Sequence, residues 1–207
     1  MNDTDGVTGI VLAGGRSRRL GRDKAVETIA GQALIARVLD SLSHVTQELV
    51  VVVNDHERAR ELPLPDSVVT AVDIYPDTGS LGGIFTGLTA SSNRWGIVVA
   101  CDMPFLNLEL LEHLLAFREG HDLVVPVIDH RPEPTHAAYS KVCLPAIETR
   151  LRANDLKIAK FFDDVRAKYV SQRRVEEIDP GGLSFFNINT EEDLTRARML
   201  AGEGAAI

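Results

Sequence analysis

The sequence predicts a three-layer α/β/α fold with a mainly parallel β-sheet, and three observations support this prediction. The chain has 207 residues, of which 44% are hydrophobic, so it can bury one sizeable core. Short apolar runs alternate with segments whose apolar residues recur at helical spacing, which is typical of a parallel sheet covered by helices. No internal repeat or low-complexity linker interrupts this pattern, and we therefore expect a single domain over residues 1–207.

The predicted strands are short apolar runs rich in valine and isoleucine, as expected for strands that are buried on both faces. A further run near the end of the chain, Phe185–Ile188, is also predicted to be a strand. The runs that form the main sheet are Thr8–Leu12, Glu48–Val53, Val68–Val72, Trp95–Ala100 and Leu123–Val127.

Helical periodicity predicts the elements between these strands. Apolar stripes run from Leu34 to Leu42 and from Leu108 to Leu115, and the segment Lys141–Arg150 is predicted to form a third helix. These stripes are most simply explained as core-facing surfaces. Thr190 is predicted to cap a closing helix, because an acidic residue follows it three positions later, as in a capping box.

The most informative stretch is VLAGGRSRRLGRDK, residues 11–24, where an apolar strand leads into two glycines and then five cations within nine residues. The whole chain carries 30 acidic and 22 basic side chains, a formal charge of −8, so this local positive charge calls for a strongly anionic partner such as a triphosphate. Glycines let backbone N–H groups approach phosphate oxygens, and arginines bind those oxygens in pairs. The spacing matches neither the Walker pattern nor the dinucleotide fingerprint. The cations are Arg16, Arg18, Arg19, Arg22 and Lys24.

Polar residues follow three of the predicted strands. Open parallel sheets bind ligands beyond the carboxyl ends of their strands, and Asn54, Asp73 and Asp102 stand at such ends. Asp102 is the candidate metal ligand, because Mg²⁺ typically takes one or two carboxylates together with phosphates and waters. Asn54 and Asp73 also suit turns that bond the local backbone, and Asp77 competes with Asp73 for a ligand-binding role.

The residues from Leu12 to Lys24 match the pattern LAGG-x-S-x-R-hydrophobic-G-x-DK without a gap. This pattern resembles the signature loop of molybdenum cofactor guanylyltransferases, in the MobA-like nucleotidyltransferase family. The resemblance implies a Rossmann-like nucleotidyltransferase fold whose N-terminal half binds the nucleotide and whose C-terminal half binds the acceptor. It also implies that Arg19 contributes to phosphate binding or turnover. The residues implied to hold the nucleotide are Leu12, Ala13, Gly14, Gly15 and Lys24.

Later motifs resemble the same family. Asn54 ends a VVVN element and Asp73 follows the third strand, and both are implied to contact the nucleotide. Asp102 lies in the sequence Cys101-Asp102-Met103-Pro104, which resembles the family's C/P-x-D-x-P element and is implied to bind Mg²⁺ and to take part in catalysis. Asn187 and Asn189 match an N-x-N-T element that is implied to bind the acceptor. If Phe185–Ile188 is a strand, alternation places both amides on one face. The glycine cluster of residues 79–83 resembles the family's G-x-L-x-G element.

The resemblance implies transfer of GMP from GTP to the terminal phosphate of molybdopterin, or of its molybdenum-bound form, with Mg²⁺ as cofactor and pyrophosphate as the second product. Partners could also include other cofactor-biosynthesis proteins and recipient molybdoenzymes. A cytidylyltransferase that uses the same acceptor is the close alternative, although such relatives usually read LAAG where this chain has LAGG. A noncatalytic GTP-binding module is the alternative from a different class.

Composition argues against several other classes. The acidic balance argues against nonspecific nucleic-acid binding, and no apolar run reaches the roughly 18 residues of a membrane-spanning helix. Cys101 and Cys143 are far apart in sequence and lack neighbours at metal-binding spacing, so we expect both to be small buried core residues in a reduced, cytoplasmic protein. His136 is most simply a core residue packed under the sheet.

Overall fold

The computed structural model of the chain describes residues 6–14 and 23–202. Two predicted nucleotide-binding residues, Gly15 and Arg19, lie outside the described residues, as do the other arginines of the basic loop. The described strands are β1 (Val7–Leu12), β2 (Thr28–Ile29), β3 (Gln32–Ala33), β4 (Glu48–Val53), β5 (Val69–Val72), β6 (Trp95–Ala100), β7 (Leu123–Ile128), β8 (Arg131–Pro132), β9 (His136–Ser140) and β10 (Ala167–Val170).

The main sheet has the strand order β10-β7-β9-β6-β1-β4-β5, and β8 pairs with β7 outside this path. β1 lies in the middle, in parallel register with both β4 and β6. β9 runs antiparallel between β6 and β7, so the sheet is mainly but not wholly parallel. The strands β1, β4, β5, β6 and β7 therefore end at the same edge of the sheet, as the prediction of a shared ligand-binding edge requires.

Helices cover both faces of this sheet and confirm the three-layer prediction. They are α1 (Leu34–Ser43), α2 (His56–Glu61), α3 (Gly79–Ala90), α4 (Leu108–Ala116), α5 (Leu144–Arg152), α6 (Gln172–Ile178) and α7 (Glu191–Leu200). Successive residues of β1 enter different cores: Val11 packs with α1, α4 and α6, whereas Ile10 packs with α3 and α5. The sheet is thus buried on both faces, which explains why its strands are continuous apolar runs.

Two sequence expectations need correction or refinement. Phe185–Ile188 is not a strand: residues Leu183–Phe185 form a 3₁₀ turn, and the next backbone contact is a single hydrogen bond of 3.0 Å from the Ile188 N–H to the Asp102 carbonyl. The apolar residues here anchor an irregular segment rather than extend the sheet. The glycine cluster of residues 79–83, for which the sequence analysis gives no secondary structure, forms the first turns of α3. The third predicted helix begins with a 3₁₀ turn and becomes α-helical at Leu144.

The closing helix α7 confirms its predicted start. The Asp193 N–H donates to the Thr190 hydroxyl at 3.1 Å, and the Asp193 carboxylate accepts from the Thr190 N–H at 2.9 Å, which completes a capping box. No helix of the described residues combines the length and the apolar character that crossing a membrane requires. Cys101 and Cys143 are both buried, as expected.

The burial of His136 is expected to make the stability of the fold sensitive to acid. Its side chain is fully buried against the Phe185 ring, with 4.8 Å between ring centroids, and neither ring nitrogen has a hydrogen-bond partner among the described residues. Burial lowers the pKa of His136 to about 4, although the charge of Asp179 acts in the opposite direction. The unfolded chain therefore binds the proton near pH 6.5, and the folded chain only near pH 4.

Between these two values the unfolded state holds more protons, so stability falls as the pH is lowered. We expect the free energy of unfolding to fall by about 2 kcal/mol from this group alone between pH 8 and pH 5. His136→Phe, which keeps the ring contact, should remove that part of the pH dependence. Thermal melts of both proteins across this pH range test the expectation, and parallel curves for the two proteins would contradict it.

Candidate active site

A cleft of about 420 Å³ opens at the carboxyl ends of β1, β4, β5 and β6. Loops and helix starts at this edge supply its walls, because each chain segment leaves the sheet there. The cleft gathers most of the residues that the sequence singled out at strand ends. It is lined by Leu12, Gly14, Lys24, Val52, Asn54, Asp73, Asp77, Gly79, Ser80, Gly83, Ala100, Cys101 and Asp102.

Lys24 and Asp102 form an ion pair across this cleft, although 78 residues separate them in sequence. The Lys24 ammonium donates to one carboxylate oxygen of Asp102, and the two side chains are 14% and 11% exposed. Lys24 also donates to the Asn189 side-chain oxygen at 3.4 Å. One cation thus joins the end of β6 to the irregular segment before α7. The contact brings together a predicted nucleotide-binding residue, the predicted metal ligand and a predicted acceptor-binding residue.

The second carboxylate oxygen of Asp102, Oδ1, is buried and has no hydrogen-bond partner among the described residues. A buried carboxylate oxygen without a partner is costly, and a cation or its bound water would satisfy it. Mg²⁺ fits this donor set, since it commonly takes one carboxylate and completes its shell with phosphates and waters. Within residues 6–14 and 23–202 no cluster of three metal-ligating side chains exists.

Gly14 and Asn54 fit together at the end of β1. A Cβ atom at position 14 would overlap the Asn54 side-chain oxygen and would also approach its Cγ to 3.1 Å. The space that Asn54 occupies therefore exists because residue 14 is glycine. This is a close approach of a side chain to bare backbone on the wall of the cleft, which is one of the roles that glycine serves.

If the cleft binds the nucleotide as the sequence resemblance implies, Gly14→Ala is expected to displace Asn54 and to weaken that binding about tenfold, a loss of about 1.4 kcal/mol. Isothermal titration with GTP would measure this loss. Gly181→Ala is a matched control, since a Cβ atom there would meet only Leu183 at an ordinary 3.5 Å. Unchanged GTP affinity in Gly14→Ala would contradict the expectation.

Asp73 and Asp77 both line the cleft, so the structure leaves both as candidates for a nucleotide contact. Asp73 also stabilises the local fold, because its Oδ1 accepts from the Tyr75 N–H at 3.0 Å and from the Thr86 hydroxyl at 2.9 Å. Burial raises the pKa of Asp73, and the charge of Asp77 adds to this effect, while the two hydrogen bonds oppose it. Asp77 has a positive φ of 63° and belongs to the turn before α3.

The start of α3 packs closely against its neighbours. A Cβ atom at Gly82 would lie 2.8 Å from the Tyr75 carbonyl oxygen, and one at Gly83 would lie 3.0 Å from the Leu12 side chain. The glycines therefore allow a helix N-terminus to sit directly at the cleft. The first N–H groups of a helix lack partners within the helix and favour anions.

Some residues that the sequence singled out have other roles in the structure. Ala13 is buried, and its N–H donates to the Val52 carbonyl at 2.8 Å, so this N–H belongs to the sheet. Asn187 does not line the cleft, and its amide donates to the Phe185 carbonyl at 3.0 Å. Cys101 lies beside Asp102, and burial raises the pKa of its thiol to about 12, with the Asp102 charge as the next cause. That thiol stays protonated.

One contact escaped sequence reasoning. Arg58 is 1% exposed although it lies in the charged helix HERARE, and its guanidinium binds the Asp23 carboxylate through two nitrogens. A charged six-residue run reads as a solvated surface, and nothing in its pattern signals that one arginine is buried. The Asp23 side chain is 28% exposed, so an acidic residue before Lys24 did not point to this partner either.

Residues 9–169 match the family model described as the MobA-like NTP transferase domain. The chain belongs to the MobA-like NTP transferase family. Members of this family are nucleotidyltransferases, so the chain is an enzyme of that kind. It is similar to a probable molybdenum cofactor guanylyltransferase of Pelotomaculum thermopropionicum, with 38% identity over 94% of this chain and 93% of the relative. It is also similar to a molybdenum cofactor guanylyltransferase of Desulfosudis oleivorans, with 37% identity over 93% and 95% of the two chains.

Solved structures agree with this family assignment. The molybdopterin-guanine dinucleotide biosynthesis protein A of Archaeoglobus fulgidus superposes with a TM-score of 0.82 at 31% identity, over 95% of this chain and 99% of that one. A 4-diphosphocytidyl-2C-methyl-D-erythritol synthase of Anaerococcus prevotii superposes with a TM-score of 0.67 at 18% identity, over 96% of each chain. The second likeness shows the shared nucleotidyltransferase fold alone.

Proposed function

We propose that the protein transfers GMP from GTP to the terminal phosphate of molybdopterin, or of its molybdenum-bound form, and releases pyrophosphate. The observation that carries this proposal is the Lys24–Asp102 pair at the cleft, in a chain that shares 38% identity over 94% of its length with a probable molybdenum cofactor guanylyltransferase. The pair supplies a cation for a phosphate chain and a carboxylate for a divalent metal.

In this proposal, GTP binds on the side of the cleft that is formed by the ends of β1, β4 and β5. We assign the backbone of residues 12–15, other than the Ala13 N–H and carbonyl that bond within the protein, to the nucleotide, together with Asn54 and either Asp73 or Asp77. Lys24 would hold phosphate oxygens, and Arg19, which lies outside the described residues, is assigned to the same phosphates on family resemblance. Arginine and lysine both stabilise the charge that collects on a departing pyrophosphate.

Asp102 is the proposed ligand of Mg²⁺, and its unpartnered Oδ1 supports the assignment. Bound Mg²⁺ would neutralise charge on the phosphate oxygens. Lys24 now bonds the other oxygen of the same carboxylate, and this bond fixes the orientation of Oδ1. The protein groups therefore hold the metal-binding oxygen in place before substrate arrives.

The acceptor half is assigned to the region of Asn187 and Asn189. Asn189 supports this assignment because its amide oxygen accepts from Lys24 and so stands at the border of the cleft. An oxygen of the acceptor's terminal phosphate would attack the α-phosphorus of GTP, while the bond from that phosphorus to the bridging oxygen of the β-phosphate breaks. No protein nucleophile is required, because positioning and charge neutralisation supply the catalysis.

The alternatives from the sequence have less support. The cytidylyl enzyme among the solved structures shares 18% identity with this chain, which shows only a shared fold. An LAAG sequence would place alanine at position 14, and its Cβ atom would overlap the Asn54 side chain. A noncatalytic GTP-binding module would not need the Lys24–Asp102 pair. A single domain, a cytoplasmic location and contacts with other cofactor-biosynthesis proteins or recipient molybdoenzymes stay predictions.

Thermal stabilisation by nucleotides tests the site. Ligand at a hundredfold excess over its dissociation constant adds about 2.7 kcal/mol, which raises the melting temperature by several degrees in a protein of this size. We expect a shift with GTP and Mg²⁺, a smaller shift with GTP and a chelator, and little shift with CTP, UTP or ATP. A preference for CTP would favour the cytidylyl alternative, and no shift with any nucleotide would contradict the proposed site.

A further inference from the structure

The two ends of the basic loop meet at Arg58. Its guanidinium binds the Asp23 carboxylate through both terminal nitrogens, one of them at 2.7 Å from Oδ1. Its Nε donates to the Ala13 carbonyl at 3.4 Å. Ala13 stands before residues 15–22, and Asp23 stands directly after them. One side chain of α2 thus contacts the chain on both sides of the loop.

Arg58 is deeply buried for a charged residue, with its side chain 2% exposed. A buried guanidinium is tolerated only when it is paired and hydrogen-bonded. Asp23 supplies the main partner, and Glu61 lies 3.7 Å away on the next turn of α2. The hydrogen bonds that Arg58 donates to the Asp23 carboxylate raise the pKa of Arg58, with the Asp23 charge as a further cause. The geometry is bidentate, which fixes the carboxylate in orientation as well as in distance.

α2 holds Arg58 at this place. The Asp55 side chain caps the helix by accepting from the Arg58 N–H at 2.7 Å, and Asp55 directly follows Asn54, which lies on the wall of the cleft. The position of Arg58 is therefore coupled to the end of β4. This end is also the point where the Asn54 side chain meets Gly14.

Asp23 also fixes the backbone around Lys24, the next residue in the chain. Its Oδ1 accepts from the Ala25 N–H at 3.0 Å and caps the short 3₁₀ turn Lys24–Val26. Ala25 is fully buried, so the turn is held by Asp23 before Lys24 and by Ala25 after it. The cation of Lys24 then reaches Asp102 from a fixed backbone.

We propose that Arg58 is a positioning residue of this enzyme: by binding Asp23 and the Ala13 carbonyl, it holds both ends of the glycine-arginine loop and aims Lys24 at Asp102. The role rests on the proposed function of the cleft as a site for GTP. Arg58 does not line the cleft, so it acts through Asp23 and Lys24 rather than on the nucleotide. Its replacement should impair turnover more than ground-state binding.

The test compares Arg58→Met, Arg58→Lys, Asp23→Asn and the double variant Arg58→Met/Asp23→Asn. We expect Arg58→Met to lower kcat about 10- to 100-fold while the KM for GTP changes about threefold at most, because small misplacement of a reacting group can cost about that much. Asp23→Asn should have a similar effect, and the double variant should be no worse than either single variant, since all three break the same contact. Arg58→Lys keeps the charge without the bidentate geometry and should lie between wild type and Arg58→Met.

Arg166→Met is the matched control. Arg166 also binds a carboxylate through two nitrogens: its Nε and one terminal nitrogen donate to Asp122 at 2.9 Å and 2.8 Å. This pair lies next to the start of β7, at the opposite edge of the sheet, and the Arg166 side chain is 65% exposed. Its loss should lower the melting temperature without changing kcat. Equal kinetic losses in Arg58→Met and Arg166→Met at matched stability would overturn the positioning role, as would wild-type kcat in folded Arg58→Met. Arg58→Lys provides the same comparison if Arg58→Met does not fold.

Amide hydrogen exchange supplies a readout that is independent of catalysis. The Ala25 N–H is protected by Asp23, and Arg58→Met should raise its exchange rate at least about tenfold, as expected when a locally stabilising contact is lost. Arg166→Met should leave Ala25 unchanged. If the wild type releases no pyrophosphate from GTP with molybdopterin, the proposed function fails, and exchange at Ala25 still decides whether Arg58 holds this segment. Unchanged exchange in Arg58→Met would overturn the inference.

Discussion

Asp102→Asn is expected to reduce Mg²⁺-dependent turnover by roughly a thousandfold, the upper range for loss of one preorganised electrostatic group in an active site. The amide keeps the shape of the carboxylate but lacks its charge, so it is a poor ligand for a hard cation. Release of pyrophosphate from GTP with molybdopterin, measured over a Mg²⁺ titration, reports this loss. We also expect the dependence on Mg²⁺ to weaken, because Asp102 is the proposed metal ligand.

The fold should survive this substitution. The Asp102 backbone carbonyl, which accepts from the Ile188 N–H, is untouched, and only the side-chain contact with Lys24 changes. Asp66→Asn makes the same chemical change at an exposed position before β5, at the edge of the sheet opposite the cleft, and should leave turnover unaltered. Near-normal turnover in Asp102→Asn, with an unchanged Mg²⁺ optimum, would contradict the assignment of the metal.

Lys24→Met is expected to lower kcat by roughly 10²- to 10³-fold and to raise the KM for GTP, since the same cation would bind the ground-state phosphates and stabilise the leaving pyrophosphate. Methionine keeps much of the aliphatic stem, so the packing loss is small. The substitution also removes the ion-pair partner of the Asp102 carboxylate.

Steady-state kinetics over a range of GTP concentrations measure the effects on kcat and on KM. Lys168→Met is the matched control, because Lys168 lies on β10 with its ammonium 5.0 Å from the centre of the Phe117 ring, at the far side of the sheet. That variant should keep wild-type kinetics and lose only some stability. A Lys24→Met enzyme with normal kcat would show that another group neutralises the departing pyrophosphate.

Much of the fold could be predicted because the sheet is covered on both faces. Runs such as Glu48–Val53 and Trp95–Ala100 appear in the structure with the predicted bounds, since burial on two sides demands continuous apolar sequence. The direction of each strand could not be predicted in the same way. β9, which reads HAAYS, was not predicted as a strand, because it lacks the valine and isoleucine of the other runs. It runs antiparallel between β6 and β7, and the side-chain pattern of one strand does not encode the direction of its neighbours.

The site was predictable to the level of the sheet edge. Strand ends place Asn54, Asp73 and Asp102 at one edge, and the structure brings all three to the cleft. The pairing of Lys24 with Asp102 depends on how the chain returns after residues 15–22, which no local pattern specifies. The predicted strand at Phe185–Ile188 was wrong because its apolar residues anchor an irregular segment to separate cores: Phe185 packs against one core and Ile188 is buried in another.

Acceptor-dependent release of pyrophosphate tests the central claim most directly. Purified protein would be supplied with Mg²⁺, molybdopterin and either GTP or CTP, and the pterin product would be identified by mass spectrometry. The account predicts pyrophosphate release and a guanine dinucleotide product with GTP, no release without acceptor, and at most slow release with CTP. Faster transfer from CTP than from GTP, or no transfer from GTP to molybdopterin by folded protein, would contradict it.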